Sequence, residues 1–170
     1  VPAAILYDLA NGGDKSWGDV SPYAALGLTA FRARGTDVAL GRAGAGYGAR
    51  AGAFAGGTGS ASIVTHDGIT VGALAGVNCF GSAYMTIACI ATDVILTASE
   101  AKRVAQMALS GFSRAIRPVF APFDGDALFV MSSGRIASQE KRAILVARIG
   151  ELAASTLSRA IARGVFEANR

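Results

Sequence analysis

The sequence predicts an α+β fold in which helices pack on a sheet, and three observations support that prediction. Strand signals fill the middle of the chain, two long amphipathic helix signals follow them, and 52% of the 170 residues are hydrophobic against 16% charged. Strands grouped ahead of helices favour stacked layers over a regular strand and helix alternation. A chain of this length buries a substantial core, so a single domain over 1–170 is expected.

Residues 1–9 are apolar and run into Asn11-Gly12-Gly13, which reads as a strand or buried extended segment entering a turn. Ser21-Pro22 supplies a cap and a first-turn proline for a helix over 23–33 that stops at Gly35. Glycine is so dense over 41–59 that a loop system is expected there, with its backbone passing close to something. Residues 60–65 and 69–80 read as a hairpin whose turn is His66-Asp67-Gly68. A further strand is expected over 85–91. Thr97 and Glu100 have the spacing of a capping box and open a helix over 101–116 that Arg117-Pro118 ends. After Asp124-Gly125-Asp126 a strand runs over 127–132. Ser138 is placed to cap a final helix reaching about residue 168, with Ile144, Leu145, Ile149, Leu152, Leu157, Ile161 and Val165 as its apolar stripe.

The formal charge of +4 raises the question of nucleic acid, which clustered Lys and Arg can bind through phosphates. Here Arg103, Arg114, Arg117, Lys141, Arg142, Arg148, Arg159 and Arg163 lie along the two long helices beside Glu100, Glu140, Glu151 and Glu167, the pattern of solvated faces, so no nucleic-acid partner is expected. No apolar run is long enough to cross a bilayer and no basic segment precedes an apolar stretch at the start, so the expectation is a soluble, cytoplasmic chain with no membrane partner. Cys79 and Cys89 are too few for a disulfide framework and lack ligand partners for zinc, and they read as buried free thiols.

Several groups could carry chemistry, and each has a plain structural reading. Tyr7 at the end of an apolar segment is by itself a core aromatic with a wet hydroxyl. Asn78 closes a long apolar strand, where a buried amide needs partners. Asp124-Gly125-Asp126 alone is a turn between helix and strand, while two carboxylates converging there suit an acid/base or orienting role. Gly44-Ala45-Gly46-Tyr47-Gly48 lacks the following helix of a phosphate-binding loop. His66, the sole histidine, sits in a turn, which argues against a histidine triad or a metal centre.

The run Tyr84-Met85-Thr86-Ile87-Ala88-Cys89-Ile90-Ala91-Thr92-Asp93, one capped helix, and then Asp124-Gly125-Asp126 resemble the second half of a family of N-terminal-nucleophile amidohydrolases. That family comprises the L-aminopeptidase/D-esterase enzymes, the β-aminopeptidases and the nylon-oligomer (6-aminohexanoate) endoamidases. The resemblance extends from Val1-Pro2-Ala3-Ala4-Ile5-Leu6-Tyr7-Asp8-Leu9 through Ala115-Ile116-Arg117-Pro118 to the last helix, with the family's opening segment absent. It implies a four-layer α-β-β-α sandwich, the aminopeptidase/ornithine-acetyltransferase-like fold, with an α-like part over 1–83 and a β-like part over 84–170. It also implies an autoprocessing hydrolase of short peptides, β-peptides or 6-aminohexanoate oligomers, a homo-oligomer, and no metal or organic cofactor.

By the same resemblance Tyr7, Asn78, Asp124 and Asp126 are the supporting site residues, and the nucleophile position, a Thr or Ser in the family, is Met85. Methionine has no ionisable proton and cannot attack an amide, which leaves the adjacent Thr86 as the possible substitute nucleophile. On a strand, however, a one-residue step reverses the face. Ser82 lies three residues too early, Ala55 stands where the family commonly has a lysine, and Ala83 and Tyr84 are contiguous where the family has a long linker. The alternative expectation is therefore a catalytically inactive homologue serving as a structural or regulatory subunit.

Overall fold

The computed structural model describes residues 4–6, 12–79, 86–122 and 124–170. Helix α1 spans Tyr23–Arg32, and a single 3₁₀ turn follows at Gly44–Gly46. Two-residue strands β1 (Arg50–Ala51) and β2 (Phe54–Ala55) form a small hairpin. Strands β3 (Gly57–Val64), β4 (Thr70–Val77), β5 (Ile87–Val94) and β6 (Ala127–Ile136) make the main sheet, with α2 (Ala98–Ala115) between β5 and β6 and α3 (Arg142–Ala168) last. The expected segment over 1–9 falls mostly outside the described residues, and Ala4, Ile5 and Leu6 are in no regular element.

The sheet order is β3-β4-β5-β6. The first two pairings are antiparallel, and β6 runs parallel to β5 after the α2 crossover. Side chains alternate across a strand, so one face carries Val71, Ala73, Ala75 and Val77 of β4 with Ala88, Ile90 and Val94 of β5. Helices α2 and α3 cover that face and contribute Val104, Ala108, Phe112, Leu145, Ile149, Leu157 and Ile161 to the core. Each fully buried side chain of this size stabilises the fold by roughly 1.5–3 kcal/mol. On the opposite face Leu74 and Met131 are exposed, while Leu6 and Ala45 pack over Gly76 at one end. The described residues thus form one helix layer on one sheet layer of an α+β fold.

Most local expectations hold, with shifts that have tertiary causes. Thr97 Oγ1 accepts the Glu100 N–H and Glu100 Oε2 accepts the Thr97 N–H, completing the capping box. The segment over 41–59 is not wholly irregular, since it holds the 3₁₀ turn, β1, β2 and the start of β3. Gly57 and Gly59 face α3 there, and a Cβ on Gly59 would collide with the Ala160 carbonyl and lie 2.8 Å from Gly164 Cα. Helix α3 starts at Arg142 and not just after Ser138. The Ser138 hydroxyl instead accepts the Glu140 N–H two residues on, and Arg142 is drawn to Glu100 and the Ile95 carbonyl. Strands β5 and β6 run longer than expected, out to the Val94–Ile136 pair. Ion pairs Arg114–Glu151, Arg148–Glu140 and Arg163–Glu167 lie on the helical surfaces read as solvated. No helix of the described residues is long and apolar enough to cross a membrane.

Candidate active site

The topology brings three distant segments to one end of the sheet. Because β4 and β5 are antiparallel, the residues after β4 lie beside the start of β5, and because β5 and β6 are parallel, the start of β6 lies there too. Asn78 and Cys79, Thr86, and the turn at 124–126 therefore converge. Tyr7 and Met85 lie outside the described residues.

Asn78 is 1% exposed. Its Oδ1 accepts the backbone N–H of Arg50 at 2.9 Å. Only the oxygen of a carboxamide can meet an N–H donor, so this bond fixes the orientation of the amide and turns Nδ2 to the other side as a donor. A buried amide held in this way is a preset donor for a polarised carbonyl. The hairpin that supplies Arg50 has no side-chain motif marking it, so the sequence offered no sign of this partner.

Asp126 spends both carboxylate oxygens on backbone. Oδ1 accepts the Thr86 N–H at 2.9 Å and Oδ2 accepts the Phe120 N–H at 3.0 Å. The Thr86 carbonyl in turn accepts the Ala127 N–H at 3.0 Å, so the start of β5 is tied to the start of β6 at two points. Phe120 is the sole non-glycine residue with positive φ among the described residues, at 54°, and the bond from Asp126 together with its edge-on packing against Phe112 holds it there. Asp126 is thus an orienting group. Asp124 is 6% exposed beside it.

Thr86 is fully buried. It is one residue before Ile87, whose side chain is on the open face, so its own side chain belongs to the core face with Ala88 and Ile90. Among the described residues its hydroxyl has no hydrogen-bond partner. In this arrangement substrate cannot reach the Thr86 hydroxyl, which runs against its candidacy as substitute nucleophile. Cys79 and Cys89 are free and half-buried, not fully buried. Burial, with the nearby Asp124 and Asp126 charges, pushes the Cys79 thiol above its ordinary range, so at neutral pH it is a thiol and a poor nucleophile.

Other features lie apart from this end. His66 is exposed in the β3–β4 turn. A cleft of about 460 Å³ between α2 and α3, lined by Glu100, Arg103, Met107 and Arg142, is near the far end of β5. Among the described residues no group of three His, Cys, Asp or Glu side chains is placed to hold a metal.

Comparison with known proteins identifies relatives of this chain. The family model described as peptidase family S58 matches the chain over 1–88 and again over 83–170. An uncharacterized aminopeptidase of Mycobacterium tuberculosis (strain ATCC 25618 / H37Rv) is 33% identical over 221 residues, covering 99% of this chain and 63% of the relative. The aligned region is longer than this chain, so the relative carries residues with no counterpart here. A Burkholderia sp. β-aminopeptidase structure superposes with a TM-score of 0.67 at 25% identity, covering 86% of this chain and 51% of that one. The L-aminopeptidase D-Ala-esterase/amidase from Ochrobactrum anthropi, described as a new variant among the Ntn-hydrolase fold, superposes with a TM-score of 0.61 at 20% identity. That match covers 77% of this chain and 46% of that one, and it shows the fold alone. The chain belongs to peptidase family S58.

Proposed function

We propose that this chain carries an amide-bond hydrolase site of the N-terminal-nucleophile kind, acting on short peptides, β-peptides or 6-aminohexanoate oligomers. In such a site the precursor backbone is cut just before the nucleophile. The freed α-amino group, of reference pKa about 7.7–8.0, takes the proton of that residue's own hydroxyl as the oxygen attacks the substrate carbonyl. The proton passes to the leaving amine, and water then releases the acyl group. Asn78 stabilises the oxyanion through Nδ2, Asp126 orients the start of β5, Asp124 supplies the second carboxylate, and Tyr7 completes the set.

The observation that carries this reading is the convergence of an oriented Asn78 amide with the Asp126 pin on Thr86, the residue that follows position 85. We further propose a single amidohydrolase-like domain over 1–170 with a four-layer α-β-β-α arrangement, in a cytoplasmic homo-oligomer. Substrate choice is part of the proposal, because this chain spans only part of its relatives' length.

A second reading is that of a catalytically inactive homologue with a structural or regulatory role. By the family resemblance Met85 falls at the nucleophile position, and the neighbouring Thr86 hydroxyl is buried in the core. Intact mass under denaturing conditions, with N-terminal sequencing of each species, separates the two readings. For the natural chain, two fragments with a cut near 84–86 mean a self-processed hydrolase, and a single uncut species means the inactive reading leads. For Met85→Thr, a cut that leaves Thr at a new N-terminus together with amide hydrolysis supports an otherwise intact site. Failure to cut or hydrolyse sinks it.

A further inference from the structure

We propose that Asn169, the residue just past the end of α3, is a positioning residue for Asn78; this rests on the reading of Asn78 as the oxyanion-side amide. Asn169 Oδ1 accepts the Ala55 N–H at 3.0 Å, and its Nδ2 donates to the Ala55 carbonyl at 2.8 Å and to the Val165 carbonyl at 2.7 Å. One side chain therefore satisfies both backbone groups of a strand residue, as a neighbouring strand would, while anchored to the last turn of α3.

Ala55 lies directly across the hairpin from Arg50. The Ala55 groups point outward to Asn169 and the Arg50 N–H points outward to Asn78, so this is a non-hydrogen-bonded pair, and the ladder bond beside it runs from the Gly56 N–H to the Ala49 carbonyl at 2.8 Å. The hairpin is gripped from both edges, by the end of α3 on one side and by Asn78 with the parallel backbone bridge between Ala51 and Cys79 on the other. Two strands of two residues cannot fix themselves in water. The hairpin that presents the Arg50 N–H to Asn78 is consequently held at Ala55, from 114 residues away in sequence, by Asn169.

The test uses the full chain, labelled with ¹⁵N, carrying Asn169→Ala or Asn169→Asp. Asparagine to aspartate keeps the acceptor for the Ala55 N–H but turns an oxygen toward two carbonyls. Arg170→Ala, which removes only an exposed ion pair to Glu167, is the control. Both Asn169 variants are expected to speed amide exchange at Ala55 and Arg50 by about tenfold or more and to shift the Asn78 side-chain NH₂ resonances. Core amides such as Ala73 and Ile90 should keep their protection, and the control should change nothing. Unaltered Arg50 exchange and Asn78 resonances in Asn169→Ala overturn the proposal.

A kinetic arm adds Asn169→Ala to Met85→Thr and reads hydrolysis of a short peptide amide. The expected result is a kcat about tenfold lower with KM within about twofold, the mark of a misplaced transition-state donor. An unchanged kcat beside a loosened Arg50 overturns the positioning role and leaves a purely structural clamp. If Met85→Thr alone is inert, the hydrolase reading is what fails, and the Asn78 resonances by themselves decide whether Asn169 positions that amide.

Discussion

Replacement of Asp126 tests how the start of β5 is held. The carboxylate accepts two N–H groups, and the two differ in what they lose without it. Thr86 is fully buried, so its N–H has no water to turn to, whereas Phe120 is 42% exposed and can be hydrated. Leaving one buried donor unsatisfied costs about 1–3 kcal/mol, and charge-assisted bonds sit at the upper end of hydrogen-bond strengths. Asp126→Ala should therefore cost about 2–4 kcal/mol, once relief of the strained φ at Phe120 is set against the lost bonds. Asp126→Asn can turn its oxygen to Thr86 and give up Phe120, so its cost should be about 1 kcal/mol. Urea unfolding reads both. With a slope of about 2 kcal/mol per molar, the alanine variant should move the midpoint down by about 1–2 M and the asparagine variant by about 0.5 M. Amide exchange should accelerate at Thr86 in the alanine variant and at Phe120 in both. Equal midpoints for the two variants, or no loss in the alanine variant, would refute the asymmetry argued here.

Four further outcomes are expected. In a Met85→Thr background, Asn78→Asp keeps the acceptor for Arg50 but replaces the donor by a negative oxygen, so turnover should fall at least about 10²-fold with an unchanged circular dichroism spectrum; near-normal turnover would remove Asn78 from the chemistry. Thr86→Val replaces a buried, unbonded hydroxyl by an isosteric methyl and should leave stability within about 1 kcal/mol of the parent by urea unfolding and, in the same background, leave hydrolysis intact; loss of hydrolysis would restore Thr86 as nucleophile. Gly59→Ala puts a Cβ into the α3 backbone, which cannot step aside, and should lower stability by about 3 kcal/mol or more; a neutral result would mean that α3 sits further from β3. Glu100 is held down to about 2 by the Arg142 guanidinium and then by Thr97, below its ordinary 4.5. Its stabilising contribution is thus present above pH 4.5 and is lost as pH falls toward 2, so the melting temperatures of the natural chain and Glu100→Gln should converge over that window; a gap still open at pH 2 would contradict it.

The elements with local signals were legible in the sequence. Thr97 and Glu100 announce α2 within one turn, and the short apolar run around Ile90 announces β5, because caps and short apolar runs depend on near neighbours. The start of β3 was not legible, since glycines suit a strand there only because α3, about a hundred residues later, presses its backbone against them. The end of β6 and the start of α3 were missed for the same reason, each being set by a partner far away in sequence. Within the site, Asn78 and the acidic pair gained meaning only from the family resemblance. The backbone N–H groups of Arg50, Thr86 and Phe120 left no trace, because a main-chain donor has no residue signature. Asn169 carried a faint one, an asparagine just past a helix end, where that residue is favoured for the cap and not for what it reaches.

The parallel pairing of β5 with β6 makes one end of the sheet tolerant of length change. Both strands begin at that end, and Asp126 and Ala127 bind Thr86 from the side, so the start of β5 is held from the β6 side as well as by its ladder with β4. The family model meets itself over 83–88, at this same junction. Material gained or lost before Thr86 alters no pairing in the sheet, and any segment attached there is delivered beside the carboxylates by its own covalent tether. The length of chain before Thr86 can therefore change while Thr86 keeps its place beside the acidic turn.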